Sequence, residues 1–147
     1  MSTTLENAVT AITSRIRANV ATLESTWDED SIAWPNKAFS RPDPSALFAV
    51  VELEDFEVTP AGLGSSAGER VDGAASLVVF APRGSKSITL FTILDHARDL
   101  FPRGLTLTEG ATTLNFTTPE PMEINLTEQE REAYEAKGVL FPFIIFT

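Results

Sequence analysis

A short glycine- and serine-rich stretch carries the first residues that suggest chemistry. Gly64-Ser65-Ser66-Ala67-Gly68 matches the Gly-x-Ser-x-Gly elbow in which α/β-hydrolases expose a serine nucleophile, here Ser66. Asp95 and His96 follow in the chain order of the hydrolase triad. The elbow needs a helix after it, however, whereas a strand-like pattern follows Gly68. Adjacent residues also point about 100° apart on a helix, so a small Ser-dependent hydrolase stands as an alternative that the context disfavours.

The same stretch also matches a dinucleotide-binding fingerprint. Gly62-x-Gly64-x-x-Ala67 would have to leave a strand directly and open a helix whose N-terminus holds the pyrophosphate. Pro60 precedes the motif and no helical pattern follows it. The stretch is therefore predicted to be a loop, the tip of a long Gly-rich hairpin, with a tip formed by Gly62, Leu63, Gly64, Ser65 and Ser66.

Acidic clusters and the rarity of thiol and imidazole groups limit metal and cofactor chemistry. Asp28, Glu29 and Asp30 are consecutive, and no calcium-loop spacing occurs around them. The chain has no Cys and one His, His96, which excludes thiolate chemistry, disulfides and any two-histidine mechanism. We expect no metal, no cofactor, no catalytic residue and no enzyme activity.

Length and charge limit the remaining function classes. The chain has 147 residues, which predicts a single domain over residues 1–147. Its 21 acids and 11 bases give a net charge of −10, which argues against a protein that grips nucleic acid or an anionic membrane surface. The longest apolar run, residues 139–146, is too short to span a membrane as a helix, and no signal peptide is predicted.

Hydrophobic periodicity places these residues on elements. An amphipathic helix is predicted from Leu5 to Leu23, with Thr3 and Glu6 as a capping box. The other elements are predicted as strands over residues 46–53 and 69–80, a helix over 85–101, a hairpin turning at Glu109-Gly110, a charged helix over 127–137 ended by Gly138, and a strand over 139–146. This order predicts an α+β fold. A mainly antiparallel sheet of four to five strands, with parallel pairing left open, would carry two main helices and the long Gly-rich hairpin.

The final strand is apolar and contains Pro142, which cannot donate to a strand ladder. We therefore predict an edge strand, or a bulge at the proline. Two roles stay open for its side chains. They could be buried under the two helices, or they could form a subunit interface.

Several short motifs, in order, give the chain a resemblance to a known family. It resembles the tail terminator (tail completion) proteins of long-tailed bacteriophages and phage-like gene transfer particles. The motifs are Trp34-Pro35-Asn36-Lys37-Ala38-Phe39, the Gly-rich hairpin, Pro82-Arg83-Gly84, Phe101-Pro102-Arg103-Gly104 and the proline-containing final strand. Residues 52–57 are more acidic, and residues 127–137 longer and more charged, than the family pattern.

The resemblance implies a structural virion protein that forms a ring, commonly a hexamer. Such a ring caps the end of the tail tube, stops tube polymerisation and offers the surface for head-neck attachment. The implied partners are other copies of the chain, the tail tube protein and a head-completion or neck protein, with DNA passing through without specific binding and no membrane contact. The implied location is the head-tail junction of the virion, after assembly in the host cytoplasm. A head-closure or neck adaptor of the same particle is the alternative.

The resemblance also implies roles for particular residues. The hairpin tip would contact the tube or the neck. The candidates for the subunit interface are Phe141, Phe143, Ile145 and Arg103. Acids that flank the hairpin would line the lumen and repel DNA, with Glu52, Glu54, Asp55 and Glu57 as candidates and the acids of residues 128–135 as a second group.

Overall fold

The computed structural model describes residues 4–35, 37–40, 46–60, 62, 68–84 and 87–147. A 3₁₀ turn, Glu29–Ser31, precedes the first strand. The helices are α1 (Thr4–Ala18), α2 (Val20–Leu23), α3 (Ser87–Leu100) and α4 (Glu128–Ala133). The strands are β1 (Ile32–Ala33), β2 (Phe48–Pro60), β3 (Glu69–Pro82), β4 (Thr106–Glu109), β5 (Thr112–Phe116), β6 (Glu120–Met122) and β7 (Tyr134–Phe146). This alternation confirms the predicted α+β class.

The strands form one mixed sheet in the order β1-β2-β3-β7-β5-β4, and β6 also pairs with β7. The pair β1–β2 is parallel and the other pairs are antiparallel. The prediction of four to five strands was too low, because the described residues contain seven. The strands β1 and β6 have two and three residues, too few to show an alternating pattern.

One face of the sheet is packed against α1 and α3, and we call it the helix face. Its side chains include Val51 on β2, Leu77 on β3 and Phe141 on β7, all buried in one core cluster. Phe101, directly after α3, lies with its ring 4.6 Å from the ring of Phe141. The opposite face, which carries Glu52 and the other residues alternating with this core set, we call the acidic face.

The predicted amphipathic helix is confirmed over most of its length. Ile12, Ile16 and Leu23 are buried, although the helix is interrupted at Asn19 and Leu5 at its start is 46% exposed. Thr3, the predicted capping residue, lies outside the described residues. The hairpin predicted around Gly110 is also confirmed, and this glycine has a φ of 58°, as a tight turn requires.

The strand β7 is central, so the prediction of an edge strand was wrong. It pairs with β3 along its whole length, from Tyr134 opposite Pro82 to Phe146 opposite Arg70. On its other side it pairs with β6 and then with β5. The apolar sequence of β7 therefore reflects burial in the middle of the sheet.

The charged segment before β7 is a shorter helix than predicted. Its capping box is confirmed: the Glu130 amide donates to Thr127 Oγ1 at 3.2 Å, and the Thr127 amide donates to Glu130 Oε1 at 3.1 Å. The helix ends at Ala133, because Tyr134 already lies in the sheet and packs edge-on against the rings of Phe48 and Phe80.

Gly138 does not end a helix, as the sequence had suggested. It lies within β7 opposite Val78. A Cβ atom at this position would lie 3.2 Å from Val78 Cγ2 and 3.2 Å from Ile124 Cδ1. The glycine therefore allows close side-chain packing over the strand.

Candidate functional site: an acidic sheet face, an exposed groove and open edges

Predicted acidic residues of β2 lie together on the acidic face. Glu52 and Glu54 alternate along the strand with Val51 and Leu53, which contact the core. The hydroxyl of Ser76, on the neighbouring strand, donates to Glu54 Oε1 at 3.5 Å. The pleat of β2 thus directs these carboxylates away from the helices.

A β-bulge keeps a third acid on the same face. The register between β2 and β3 shifts between Glu54 and Glu57, which brings Glu57 opposite Asp72. Phe56, inside the bulge, points to the helix face and lies 6.1 Å from the ring of Phe143. The side chain of Asp55, the fourth predicted acid, is outside the described part of the structure.

The guanidinium of Arg70 neutralises part of this face. It donates to both carboxylate oxygens of Asp72, at 2.9 and 3.0 Å. The hydrogen bond and the charge of Asp72 raise the pKa of Arg70. Glu57 lies opposite Asp72 across the strands, so the charge of Arg70 on Asp72 offsets part of the repulsion between these two acids.

The start of β3, next to the predicted hairpin tip, is held by hydrogen bonds to the last residue of the chain. The Thr147 amide donates to the Glu69 carbonyl at 2.9 Å, and the Glu69 amide donates to Thr147 Oγ1 at 3.1 Å. Of the predicted tip, Gly62 is exposed, whereas Leu63, Gly64, Ser65 and Ser66 lie outside the described residues. The long β2–β3 pair is therefore the stem that would carry this tip.

Three of the four predicted interface residues are buried within the chain. Phe141, Phe143 and Ile145 are each 1% exposed and belong to the core cluster. Of the two roles left open by the sequence, burial under the helices is the one observed, so these side chains offer no surface to a neighbour. Phe146, the next residue, is 62% exposed. Arg103, the fourth candidate, is exposed in the turn after α3.

An exposed apolar groove, which the sequence had not indicated, lies between α3 and the strands β6 and β7. Its volume is about 440 Å³. We call it the α3 groove. It is lined by Phe91, Leu94, Asp95, Arg98, Pro121, Met122, Glu123, Lys137, Gly138 and Val139. Ile88, 83% exposed, and Phe91, 54% exposed, lie three residues apart on α3 and outside its buried face. The presence of two large apolar residues at this spacing, outside the apolar face of the helix, is the sequence pattern that could have indicated an exposed apolar surface.

The sheet has open edges on both sides within the part of the chain that the structure describes. On one side, β1 pairs with β2 only at Ala49 and Val50, so the outer edge of β2 beyond Val50 has no strand beside it. On the other side, β4 and β6 each pair on one side only. Open edges are ready to pair with another chain unless charges or bulges prevent it, and β2 carries both.

The described residues show no arrangement that fits the hydrolase alternative. His96 Nδ1 lies 3.1 Å from the carbonyl oxygen of Leu23, and Asp95 is exposed beside it on α3. β3 follows the glycine-rich stretch where the elbow would require a helix. No group of three His, Asp or Glu side chains that could hold a metal occurs among the residues described. No helix in these ranges has the length and apolar character to cross a membrane.

These features define a small α+β protein whose prominent surfaces are suited to contact with other chains. The phage tail terminator protein family matches residues 11–135, and the chain belongs to this family. The resemblance read from the sequence is thereby confirmed. The chain is a structural protein of a phage-type tail and, as such, a virion component.

One solved structure shares the fold. A chain from the virion of a native gene transfer agent particle is 14% identical, with a TM-score of 0.64, and the match covers 100% of both chains. A second solved chain is 18% identical over 91% of this chain and 94% of its own, with a TM-score of 0.46. No similar sequence was found among curated proteins.

Proposed function

We propose that this protein caps the end of the tail tube as a ring, stops tube polymerisation and presents the surface to which the head-neck attaches. The observation that carries the proposal is the family match, which extends from α1 to the start of β7. In a ring, each subunit contacts one neighbour through one surface and the other neighbour through a different surface. Repeating this head-to-tail contact with a fixed rotation closes the ring. The open edge of β2 and the α3 groove, on opposite sides of the sheet, are two such surfaces.

The acidic face supports a role in DNA passage. Glu52, Glu54 and Glu57 share this face, and the whole chain carries a charge of −10. If the ring turns this face towards the lumen, its carboxylates repel the phosphates of DNA and prevent it from sticking. A hexameric ring would repeat this surface six-fold around the channel.

The β2–β3 stem supports a contact with a partner at its far end. It is a pair of 13- and 14-residue strands, and its end is tied to Thr147 through Glu69. We assign the tip, Gly62 to Ser66, to contact with the tube protein or a neck protein. Arg103, exposed after α3, stays a candidate for contact between subunits.

Deletion of the gene, followed by electron microscopy of the particles, tests the function. We expect overlong tails without heads, because nothing occupies the growing tube end. Tails of normal length that lack heads would contradict the proposal and favour a head-closure or neck adaptor. Restoring the wild-type gene serves as the control and should restore both tail length and heads.

A further inference from the structure

The stem of the predicted hairpin and the neighbouring strand β7 end at the same level of the sheet. The last pair of β2 and β3 is Pro60 opposite Glu69, and the last pair of β3 and β7 is Arg70 opposite Phe146. Thr147 follows directly and is hydrogen-bonded to Glu69. The chain therefore enters the stem from the tip beside Thr147.

Thr147 completes the ladder between β3 and β7 with its side chain. Its amide donates to the Glu69 carbonyl at 2.9 Å, as in a regular antiparallel ladder. The Glu69 amide donates to Thr147 Oγ1 at 3.1 Å, where a regular ladder would use the Thr147 carbonyl. The same hydroxyl donates to the Glu69 carbonyl at 3.3 Å. The hydroxyl of Thr147 thus takes the place of a backbone carbonyl.

The displaced carbonyl of Thr147 lies against Gly68, the residue before β3. A Cβ atom at Gly68 would overlap this carbonyl oxygen, and the φ of Gly68 is 76°, a value that favours glycine. Of the other described glycines with a positive φ, Gly84 and Gly104 have no atom within 4 Å of the Cβ position, and the nearest atoms at Gly110 belong to a side chain. Among these four glycines, a distant backbone atom closes the Cβ position at Gly68 alone.

The contacts of Thr147 bear on the direction of the chain more than on the stability of the fold. Gly68, Glu69 and Thr147 are all exposed, so water can replace each hydrogen bond that breaks. They lie at or beyond the last pairs of the ladders, where a loss opens only the end of the sheet. The left-handed conformation of Gly68 against the Thr147 carbonyl nevertheless gives the chain one direction of entry into β3.

We propose that Thr147 is a positioning residue for the hairpin tip. Its hydroxyl holds Glu69, its carbonyl packs against Gly68, and together these contacts set the angle between the tip and the sheet. The inference rests on the proposed function, in which the tip contacts a partner protein of the tail, and it identifies what orients that contact.

Distances between two spin labels test the direction of the tip, because the chain contains no Cys and labels attach only to introduced cysteines. The labelled chain carries G62C at the tip and E132C on α4, both at exposed positions. We expect T147V to broaden the distance distribution about two-fold, since the end of the sheet opens. T147S keeps the hydroxyl and should leave the distribution unchanged. T117V, the matched control, removes another exposed hydroxyl that donates to a backbone carbonyl and should also leave it unchanged.

Substitution of two glycines separates the contact with Thr147 from backbone strain. Gly68→Ala places a Cβ atom where the Thr147 carbonyl lies, whereas Gly84→Ala, at a φ of 79°, meets no atom within 4 Å. Both variants put a side chain at a positive φ, so only Gly68→Ala should change the distance distribution. An unchanged distribution in Gly68→Ala would overturn the proposal.

Complementation of the gene deletion connects the direction of the tip with assembly. Wild-type, T147V, T147S and T117V chains are supplied to the deletion background, and electron microscopy counts the particles whose tails have normal length and carry heads. We expect T147V to lower this count about ten-fold, because a tip that is not held in its binding direction must be ordered at the contact. The amount of chain and its thermal unfolding midpoint should be unchanged, and T147S and T117V should match wild type.

The outcomes separate this inference from the proposed function. A T147V chain that restores as many complete particles as wild type overturns the inference and leaves the capping function intact. A loss of particles with unchanged spin-label distances also overturns it, as does a loss that accompanies a fall in the thermal midpoint. Tails of normal length in the deletion background contradict the proposed function, whatever the variants do.

Discussion

Pro142 lies directly opposite Ala74 in the β3–β7 ladder, yet its carbonyl oxygen accepts a hydrogen bond from the Thr117 amide at 3.0 Å, on the far side of β7. The amide and carbonyl positions of one residue point to the same side of an antiparallel strand, so the N–H that proline lacks would also have faced away from β3. Pairing with β6 ends at Leu140, and pairing with β5 begins at Phe143. The proline thus occupies an interval between two short strands, and β7 remains central.

A central β7 predicts opposite results at two neighbouring positions. Ile145→Asp places a charge in the core and should cost about 4 kcal/mol or more, enough to remove the folded monomer. Phe146→Asp, at an exposed position, should leave the fold intact. Circular dichroism and urea denaturation measure both. A folded, soluble Ile145→Asp monomer would contradict the burial of this strand.

The close approach of Gly73 to two aromatic rings predicts a steric penalty. A Cβ atom at Gly73 would lie 2.7 Å from Phe143 Cζ and 3.0 Å from Phe56 Cδ1. Gly73→Ala should therefore lower the free energy of unfolding by about 1–3 kcal/mol, measured in urea.

A second substitution tests that mechanism. Phe143→Leu removes the nearest ring atom, so the double variant should be less destabilised than the sum of the single variants. Strict additivity would mean that the loss at Gly73 has another cause.

The capping box of α4 predicts a small, local loss of stability. Thr127→Ala removes the oxygen that accepts from the Glu130 amide and should cost about 1 kcal/mol in urea denaturation. Thr127→Ser keeps this oxygen and serves as the control, with a much smaller effect expected. Equal losses in the two variants would show that the hydroxyl does not stabilise the helix.

The pairing of Arg70 with Asp72 predicts a contribution to stability that depends on salt concentration but does not change with pH near neutrality. Because Asp72 raises the pKa of Arg70, the contribution of the pair to stability is fully present near neutral pH and is lost only as pH rises through the strongly alkaline range in which an arginine gives up its proton. Arg70→Gln should therefore lower the urea midpoint by the same amount at any pH from about 6 to 9.

The same comparison of Arg70→Gln with wild type at low and high salt concentration tests whether the charge of the arginine is responsible. The pair is exposed, so concentrated salt should shrink the difference between Arg70→Gln and wild type. Arg70→Lys keeps the charge and should retain part of the effect. A difference that does not change with salt would point to packing of the arginine side chain and not to its charge.

The sequence predicted what depends on neighbours along the chain. The apolar spacing around Ile12 and Ile16, the capping box at Thr127 and the turn at Gly110 are each decided within a few residues, and each is present. The stem strands β2 and β3 were also predicted, although both extend further than the pattern indicated.

What the sequence did not predict depends on distant pairing. Whether β7 is central or at an edge is decided by β3 on one side and by two short strands on the other, and no local pattern reports this. Tyr134 lies in the sheet because its ring packs edge-on against the rings of Phe48 and Phe80, which are distant in the sequence. The α3 groove likewise exists only because folding brings Arg98 and Lys137 together.

The central claim is that this chain ends tube growth, and the growth of purified tubes tests it most directly. Tube protein polymerises with and without the purified chain, and electron microscopy records tube length against time. The account predicts that elongation stops at amounts of chain far below those of tube protein, with one ring at the capped end. Tubes that lengthen at an unchanged rate with the chain present would contradict it.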